Sequence, residues 1–237
     1  ISAARTAADP LVIGGGYSAF SPEPLSRYID LWVVGEAEEA LAELVEMFRD
    51  VKGMPRGEML EHLARIPGVY VPSLYDAPEG GPARPCCGAA SAEVHKRVVA
   101  DLEHSFYPES WLVPVTEIVH DRISLEIMRG CPRQCLFCQG GFCGKPVRTR
   151  SQERVRQIAA HCYKSSGYEE MSLLSFSSSD HPHIESIVRG LAEDFQNQRV
   201  AFSFPSLRID TFSFELANTV ARIKKTGLTF APETGCS

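Results

Sequence analysis

The chain has 237 residues, a formal net charge of −6, and 44% hydrophobic against 23% charged side chains. This balance is too apolar for a disordered chain, and no apolar run approaches the ~18 residues that a membrane-spanning helix needs. The charge is uneven, because residues 1–50 hold nine acidic and three basic side chains, whereas residues 121–160 hold eight basic and three acidic ones. A basic stretch of this kind favours an anionic ligand or a solvated face.

The first 50 residues predict part of an α/β domain. Apolar runs at residues 11–13 and 31–34 each end in glycine, which is typical of buried parallel strands, and a helix follows at about 37–49. Two strands are too few for a complete domain, so we expect its beginning to lie upstream of Ile1. Residues 51–120 are less regular and are predicted to be a linker with short helices near 57–65 and 91–104.

From residue 121 onwards, strands and helices alternate. Strands are predicted at 123–128, 171–176, 200–204 and 228–231, with helices after Ser151, after Asp180 and near 213–225. This β-α-β-α-β-α-β order indicates a parallel sheet or barrel. Four strands cannot close a barrel, so we expect further strands after Ser237.

A cysteine motif of spacing C-x3-C-x2-C, formed by Cys131, Cys135 and Cys138, follows the first of these strands. Three thiolates on one loop can hold three irons of a 4Fe–4S cluster and leave the fourth iron open. The first residues do not resemble a secretory leader, and three of the eight cysteines are clustered, so we expect metal ligation in a reducing cytoplasm rather than disulfides.

A structural zinc site is the alternative for this motif. It would need a fourth ligand from Cys143, Cys162, His181 or His183, and structural zinc sites usually take their ligands as separated pairs. The spacing of the first two cysteines does not fit such a pair, which favours the iron–sulfur interpretation.

These residues resemble the radical SAM superfamily, whose members carry C-x3-C-x-aromatic-C, with Phe137 here at the aromatic position. The strings at residues 126–131, 138–141, 172–180, 204–210 and 227–235 are similar to the subgroup with an N-terminal cobalamin-binding domain. The resemblance implies an α/β fragment truncated at both ends. Residues 1–50 would end a partial Rossmann-like cobalamin-binding domain, residues 51–120 would be the linker, and residues 121–237 would form the first half of a radical SAM β/α (partial TIM-type) barrel.

The resemblance also implies the chemistry. The open iron would bind the amino and carboxylate groups of S-adenosylmethionine (SAM). One electron passed to the sulfonium would release methionine and a 5′-deoxyadenosyl radical, which takes hydrogen from the substrate. An electron donor such as flavodoxin or ferredoxin is implied. The substrate is not named by the sequence, and RNA stays among the candidates.

For SAM itself, the resemblance implies contacts at the carboxyl ends of the barrel strands, close to Phe137. Ser177, Ser178 and Ser179 follow the second strand and would meet the amino group, although relatives often have Gly-Gly-Glu there. Arg208 follows the third strand and would bind the carboxylate of the methionine part of SAM.

After the fourth strand, Glu233 would accept hydrogen bonds from the ribose hydroxyls. The structural alternative is that Arg208 and Glu233 pair with each other or with Asp210.

Near the N-terminus, the run Gly14, Gly15 and Gly16 begins a formal match to a dinucleotide-binding fingerprint, G-x-G-x-x-A, which is formed by Gly14, Gly16 and Ala19. Pro22 and Pro24 leave little room for the helix that this fingerprint requires. The segment instead resembles the second half of a cobalamin-binding domain, in which the glycines let the backbone approach the cofactor. A Rossmann-like domain without cofactor is the alternative.

Two other functions stay open at this point. One is a zinc-stabilised RNA-binding module that uses the basic residues 129–156. The other is a methylthiotransferase-like enzyme, which is disfavoured because those enzymes carry three cysteines in an N-terminal domain. Residues 1–120 contain only Cys86 and Cys87, which we expect to be free loop thiols because neighbouring cysteines rarely bridge without strain.

Overall fold

The computed structural model describes residues 1–78, 81–198, 200–204, 207–208 and 230–231. It divides the chain into two compact units, Ile1–Ala100 and Asp101–Ser237. Each unit combines helices with at least one parallel strand pair, which confirms the predicted α/β class.

The first unit is built on a three-stranded sheet. Strand β1 (Ile13–Gly14) runs parallel to β2 (Leu31–Val33), and β3 (Val69–Tyr70) joins the other side of β2 in the antiparallel direction. The elements of this unit are β1 (Ile13–Gly14), β2 (Leu31–Val33), α1 (Glu38–Val51), α2 (Arg56–Leu63), β3 (Val69–Tyr70), β4 (Tyr75–Asp76) and β5 (Arg84–Pro85).

The boundary of this unit differs from the predicted linker over residues 51–120. Met59, Leu63 and Val69 are buried in the same apolar cluster as Leu31 and Leu44 from the first 50 residues. Residues up to 100 therefore complete the sheet and core of the first unit, which a composition rich in proline and glycine does not reveal.

The helix predicted near residues 91–104 is absent from the described structure. Arg97 instead forms a parallel bridge with Gly35, and its backbone N–H donates to the Val34 carbonyl at 2.8 Å. Its guanidinium donates to Glu43 at 2.7 and 3.0 Å and to Glu39 at 3.3 Å. Pairing with a distant segment satisfies the backbone groups here and replaces the local helix.

The second unit contains a parallel sheet of three strands in the order β10 (Ala201–Ser203), β9 (Glu170–Leu174) and β6 (Ile123–Glu126). Strands β7 (Met128–Arg129) and β8 (Arg148–Thr149) form an antiparallel pair, and β11 (Leu207–Arg208) runs parallel to β12 (Phe230–Ala231). Its elements are β6 (Ile123–Glu126), β7 (Met128–Arg129), α3 (Gly140–Cys143), β8 (Arg148–Thr149), α4 (Gln152–Ser166), β9 (Glu170–Leu174), α5 (Ile184–Asp194), β10 (Ala201–Ser203), β11 (Leu207–Arg208) and β12 (Phe230–Ala231).

Helices α4 and α5 bury in the core of the second unit the apolar faces that the sequence periodicity predicts. The buried side chains of these helices are Val155, Ile158, Ala159, Cys162, Ile184, Ile187, Val188 and Leu191. The helix predicted near 213–225 lies outside the described residues. Within the described ranges, no helix has both the length and the apolar character that crossing a membrane requires.

Helix α4 begins at a side-chain cap. The Ser151 hydroxyl accepts a hydrogen bond from the Arg154 backbone N–H at 3.1 Å, as predicted from the sequence, and donates to Glu103.

We expect Ser151→Ala to lower the free energy of unfolding by about 1 kcal/mol, because a helical N–H loses its partner. Urea unfolding measures this loss. Ser186→Ala, which removes a hydroxyl inside α5, is the control and should change stability by less than about 0.5 kcal/mol. Equal effects of both variants would contradict the cap.

Candidate functional site

The cysteine motif lies on the loop that leaves β7 and ends at α3. Cys131 and Cys135 are half-buried, whereas Cys138 is exposed. Leu136 and Phe137, which lie between Cys135 and Cys138, are 96% and 72% exposed. No disulfide links the cysteines of the described residues. The loop thus offers three thiols and one exposed aromatic ring to a ligand.

The turn into this loop depends on Gly130. Its φ of +87° lies in the left-handed region, and a Cβ there would come within 2.6 Å of the Gly144 carbonyl oxygen and 2.9 Å of that of Pro146. The chain after α3 therefore packs directly against the residue before Cys131. Only glycine meets both requirements.

We expect Gly130→Ala to destabilise the second unit more than Gly167→Ala. Gly167, at the end of α4, also has a positive φ (+70°), but no atom of the described residues lies within 4 Å of the position of an added Cβ. Both variants incur the ~1–2 kcal/mol of a left-handed non-glycine residue, and only Gly130→Ala adds a backbone collision. Urea unfolding of both variants measures the difference. Equal losses would show that the packing at Gly130 is not rigid.

The donor set fits an iron–sulfur cluster by its chemistry. Three thiols share one short, accessible loop, and soft thiolates are the ligands that such clusters take. In the ranges that the structure describes, no three Cys, His, Asp or Glu side chains converge closely enough to hold a metal ion. Binding would therefore require the thiols to turn towards one another.

The loop after β9 carries two of the three predicted serines in buried positions. The Ser177 hydroxyl donates to the Asp180 carboxylate at 2.8 Å. The Ser178 hydroxyl lies 3.2 Å from the Leu173 carbonyl oxygen and 2.9 Å from the Ser175 hydroxyl. These two hydroxyls are thus engaged within the protein, and the predicted contact of the serines with SAM stays a prediction.

Arg133, between the first two cysteines, joins the cysteine loop to the loop after β9. Its Nε and terminal nitrogen donate to the two oxygens of Asp180 at 2.9 and 2.5 Å. This pair, aided by the Ser177 hydroxyl and the charge of Arg208, holds the pKa of the Asp180 carboxyl below its ordinary value. Arg208 therefore lies near the same edge. Sequence analysis missed the pair, since nothing in the sequence connects residues 47 positions apart.

A second contact brings the same two loops together. The position of a Cβ on Gly140 would lie 3.6 Å from the Cys138 Sγ and 3.8 Å from the Phe176 ring. Phe176 follows β9 and is 47% exposed. Strand β7 begins two residues after β6 ends, and β6 runs parallel to β9. The loops that follow β7 and β9 therefore meet at the carboxyl end of this parallel pair.

Behind this edge lies a buried cation that the sequence analysis also missed. The guanidinium of Arg150 contacts the Leu102 carbonyl oxygen, the Ser105 hydroxyl at 3.1 Å and Glu126 at 3.7 Å. Burial lowers the pKa of Arg150, and Glu126 opposes that change. Since only 1% of the residue is exposed, the arginine is part of the internal framework that supports β6 and β8.

The remaining candidate zinc ligands differ in their surroundings. Cys162 lies in the core, where burial raises its thiol pKa to about 11. His181 is buried, with its Nδ1 accepting from the His183 N–H at 3.1 Å, and burial lowers its pKa. Among the described residues, neither side chain joins the cysteines of the loop in a group that could bind a metal ion. Glu233 and Asp210 lie outside the described residues.

The basic stretch of residues 121–160 is mostly compensated by acidic partners. Bonding distances of 2.5 to 3.1 Å link the following pairs: Arg122–Glu170, Arg129–Glu126, Arg133–Asp180, Arg154–Glu109 and Arg156–Asp194. Such pairing leaves little positive charge for a phosphate backbone, which disfavours the RNA-binding module.

In the first unit, the glycine turn follows β1. Gly14 packs beneath Trp32, and a Cβ there would collide with the indole ring. Gly15 and Gly16 are exposed, and in the part of the chain that the structure describes no atom lies within 4 Å of the Cβ position at Gly16. Only two short 3-10 turns, Tyr17–Phe20 and Glu23–Leu25, separate β1 from β2, so the helix of a dinucleotide site is missing here. The turn can thus admit a ligand at Gly15 and Gly16, whereas Gly14 serves packing.

Comparison with family models matches both units. Residues 1–72 match the model described as radical SAM proteins, N-terminal, and residues 125–235 match that of the radical SAM superfamily. An uncharacterized protein of Methanocaldococcus jannaschii is 26% identical over 214 residues, which are 90% of this chain and 40% of that protein.

Two solved structures have a similar fold. Both are the radical S-adenosylmethionine methyltransferase TsrM from Kitasatospora setae, one with cobalamin and a 4Fe–4S cluster bound, the other with tryptophan substrate and the SAM analogue aza-SAM. The TM-scores are 0.58 and 0.59 at 17% sequence identity, covering 94% of this chain and 42% and 41% of those chains. The chain thus spans about two fifths of the length of these relatives.

Proposed function

Because the chain belongs to the radical SAM superfamily, we propose that Cys131, Cys135 and Cys138 hold one 4Fe–4S cluster with which the enzyme cleaves SAM. The observation that carries this proposal is the C-x3-C-x2-C loop, which leaves β7 at the edge where the loop after β9 also arrives. When bound, the cluster supplies one electron, which splits SAM into methionine and a 5′-deoxyadenosyl radical.

The chain's own residues would hold SAM at this edge. The backbone around Ser177, Ser178 and Ser179 is proposed to receive the amino group, because two of the hydroxyls are already engaged. Arg208 at the end of β11 is proposed to bind the carboxylate, Phe137 to cover the adenosine from the exposed loop, and Glu233 to accept from the ribose.

The carboxylate contact gives a direct test. We expect Arg208→Ala to weaken SAM binding by about tenfold, because a charge-assisted contact is lost. Equilibrium binding to the anaerobically reconstituted full-length protein measures it, with Arg156→Ala, in α4, as the control that should bind normally. Unchanged affinity in Arg208→Ala with the cluster intact would contradict the assignment.

Cobalamin is proposed as a second cofactor, held by the first unit. This proposal is supported by the exposed turn at Gly15 and Gly16 after β1 and by the cobalamin in one TsrM structure of similar fold. Titration of the full-length protein with hydroxocobalamin and, separately, NAD tests it. Binding of NAD alone would overturn it.

Methyl transfer is the reaction that the structural similarity to TsrM favours for the substrate step. A methyl donor role of SAM leaves S-adenosylhomocysteine, whereas reductive cleavage leaves 5′-deoxyadenosine. The test incubates the protein, reconstituted with the cluster and with hydroxocobalamin as the methyl acceptor, with SAM and with dithionite in place of a flavodoxin or ferredoxin. Identifying the products by chromatography distinguishes the two reactions. Formation of neither product, with an intact cluster, would argue against both reactions.

A further inference from the structure

We propose that Arg133 and Asp180 are positioning residues that fix the cysteine loop against the SAM-binding loop after β9. This inference rests on the proposed function, because it assigns the two loops to the cluster and to SAM. It concerns a pair that lies outside the three ligands and outside the predicted SAM contacts.

The geometry of the pair is specific. Two parallel hydrogen bonds join the guanidinium of Arg133 to both carboxylate oxygens of Asp180, at 2.9 and 2.5 Å. A bidentate pair of this type fixes orientation as well as distance. The Asp180 side chain is only 10% exposed, so solvent screens the pair less than a surface pair.

Both ends of the pair are themselves anchored. Asp180 also accepts a hydrogen bond from the Ser177 hydroxyl at 2.8 Å, which links it to the proposed site of the SAM amino group. At the other end, the Arg133 carbonyl oxygen lies 2.5 Å from the position of a Cβ on Gly141, so the backbone of Arg133 packs against α3. The residue between Cys131 and Cys135 is therefore held on two sides.

The consequence concerns the distance between the two cofactors. The three cysteines lie on a loop whose tip, at Leu136 and Phe137, packs against little of the described chain. A cluster on such a loop needs a fixed reference to meet SAM in one geometry, since a misplacement of about 1 Å can cost a hundredfold in rate. The Arg133–Asp180 pair supplies that reference.

The test uses the reconstituted full-length protein and the variants Arg133→Gln, Asp180→Asn and their combination. We expect each variant to retain its iron and its melting temperature but to bind SAM about tenfold more weakly. We also expect the SAM-induced change in the EPR spectrum of the reduced cluster to diminish. The combined variant should be no worse than either single one, because the two residues act as one unit.

Arg156 and Asp194 provide the matched control. They form an equally bidentate pair at 2.7 and 2.5 Å between α4 and α5. Arg156→Gln and Asp194→Asn should leave SAM affinity and the EPR change intact. If wild type binds iron and SAM and the Arg133 and Asp180 variants match it, the positioning role is refuted while the proposed function stands. A wild-type protein that takes up no iron overturns both.

Discussion

Replacing Cys131, Cys135 or Cys138 with alanine is expected to abolish the absorbance near about 400 nm and most of the bound iron, whereas Cys143→Ala keeps both. Each of the three thiolates would hold one iron, and the loss of one leaves too few protein ligands for a stable cluster. Iron and sulfide assays on anaerobically reconstituted full-length protein, together with its absorbance spectrum, measure the result.

Cys143 is the decisive control because it lies five residues after Cys138, at the end of α3, and is half-buried like Cys131. If Cys143→Ala loses iron as completely as Cys135→Ala, Cys143 is a fourth ligand. The cluster would then have no open iron for SAM, and the catalytic proposal would fail.

The second large effect is expected at Arg150. Arg150→Met should lower the free energy of unfolding by about 3 kcal/mol, because it removes a buried guanidinium that donates to the Leu102 carbonyl and the Ser105 hydroxyl and pairs with Glu126, and only the hydrogen bond between Ser105 and Leu102 remains. Methionine keeps much of the apolar volume, so packing contributes little to this loss. Urea unfolding measures the change.

Arg154→Met serves as the control for this variant. Arg154 pairs with Glu109 at 3.1 Å while both side chains are partly exposed, at 23% and 35%. Its loss is expected to cost less than about 1 kcal/mol, since such pairs contribute little. Similar losses in the two variants would mean that the buried contacts of Arg150 do not stabilise the unit.

Local patterns predicted the parts of the structure whose causes are local. Periodicity located the buried faces of α4 and α5, and the Ser151 cap marked the beginning of α4. The cysteine spacing likewise predicted a cluster-binding loop after the first strand of the second unit, and the role of its three thiols stays a prediction. These features depend on neighbouring residues along one helix or one loop, so the sequence contains the information.

The features that sequence analysis missed depend on distant partners. The helix expected near 91–104 is replaced by a segment whose Arg97 pairs with Glu43, 54 residues away. The linker expected over 51–120 supplies β3 to the first sheet. The Arg133–Asp180 pair joins two loops that a single sequence cannot connect. In each case a tertiary contact overrode the local preference.

The packing of Trp32 over Gly14 has an optical consequence. The chain contains two tryptophans, and each unit carries one of them. Trp32 is 3% exposed beside the glycine turn, whereas Trp111 is half-buried, with its indole N–H donating to the Pro108 carbonyl at 2.7 Å. An indole in apolar surroundings emits at shorter wavelengths than a hydrated one. In Trp111→Phe, Trp32 is the one tryptophan left in the sequence, and its indole contacts the turn at Gly14. A corrinoid, which absorbs visible light, would quench the emission of Trp32 by energy transfer when bound at this turn.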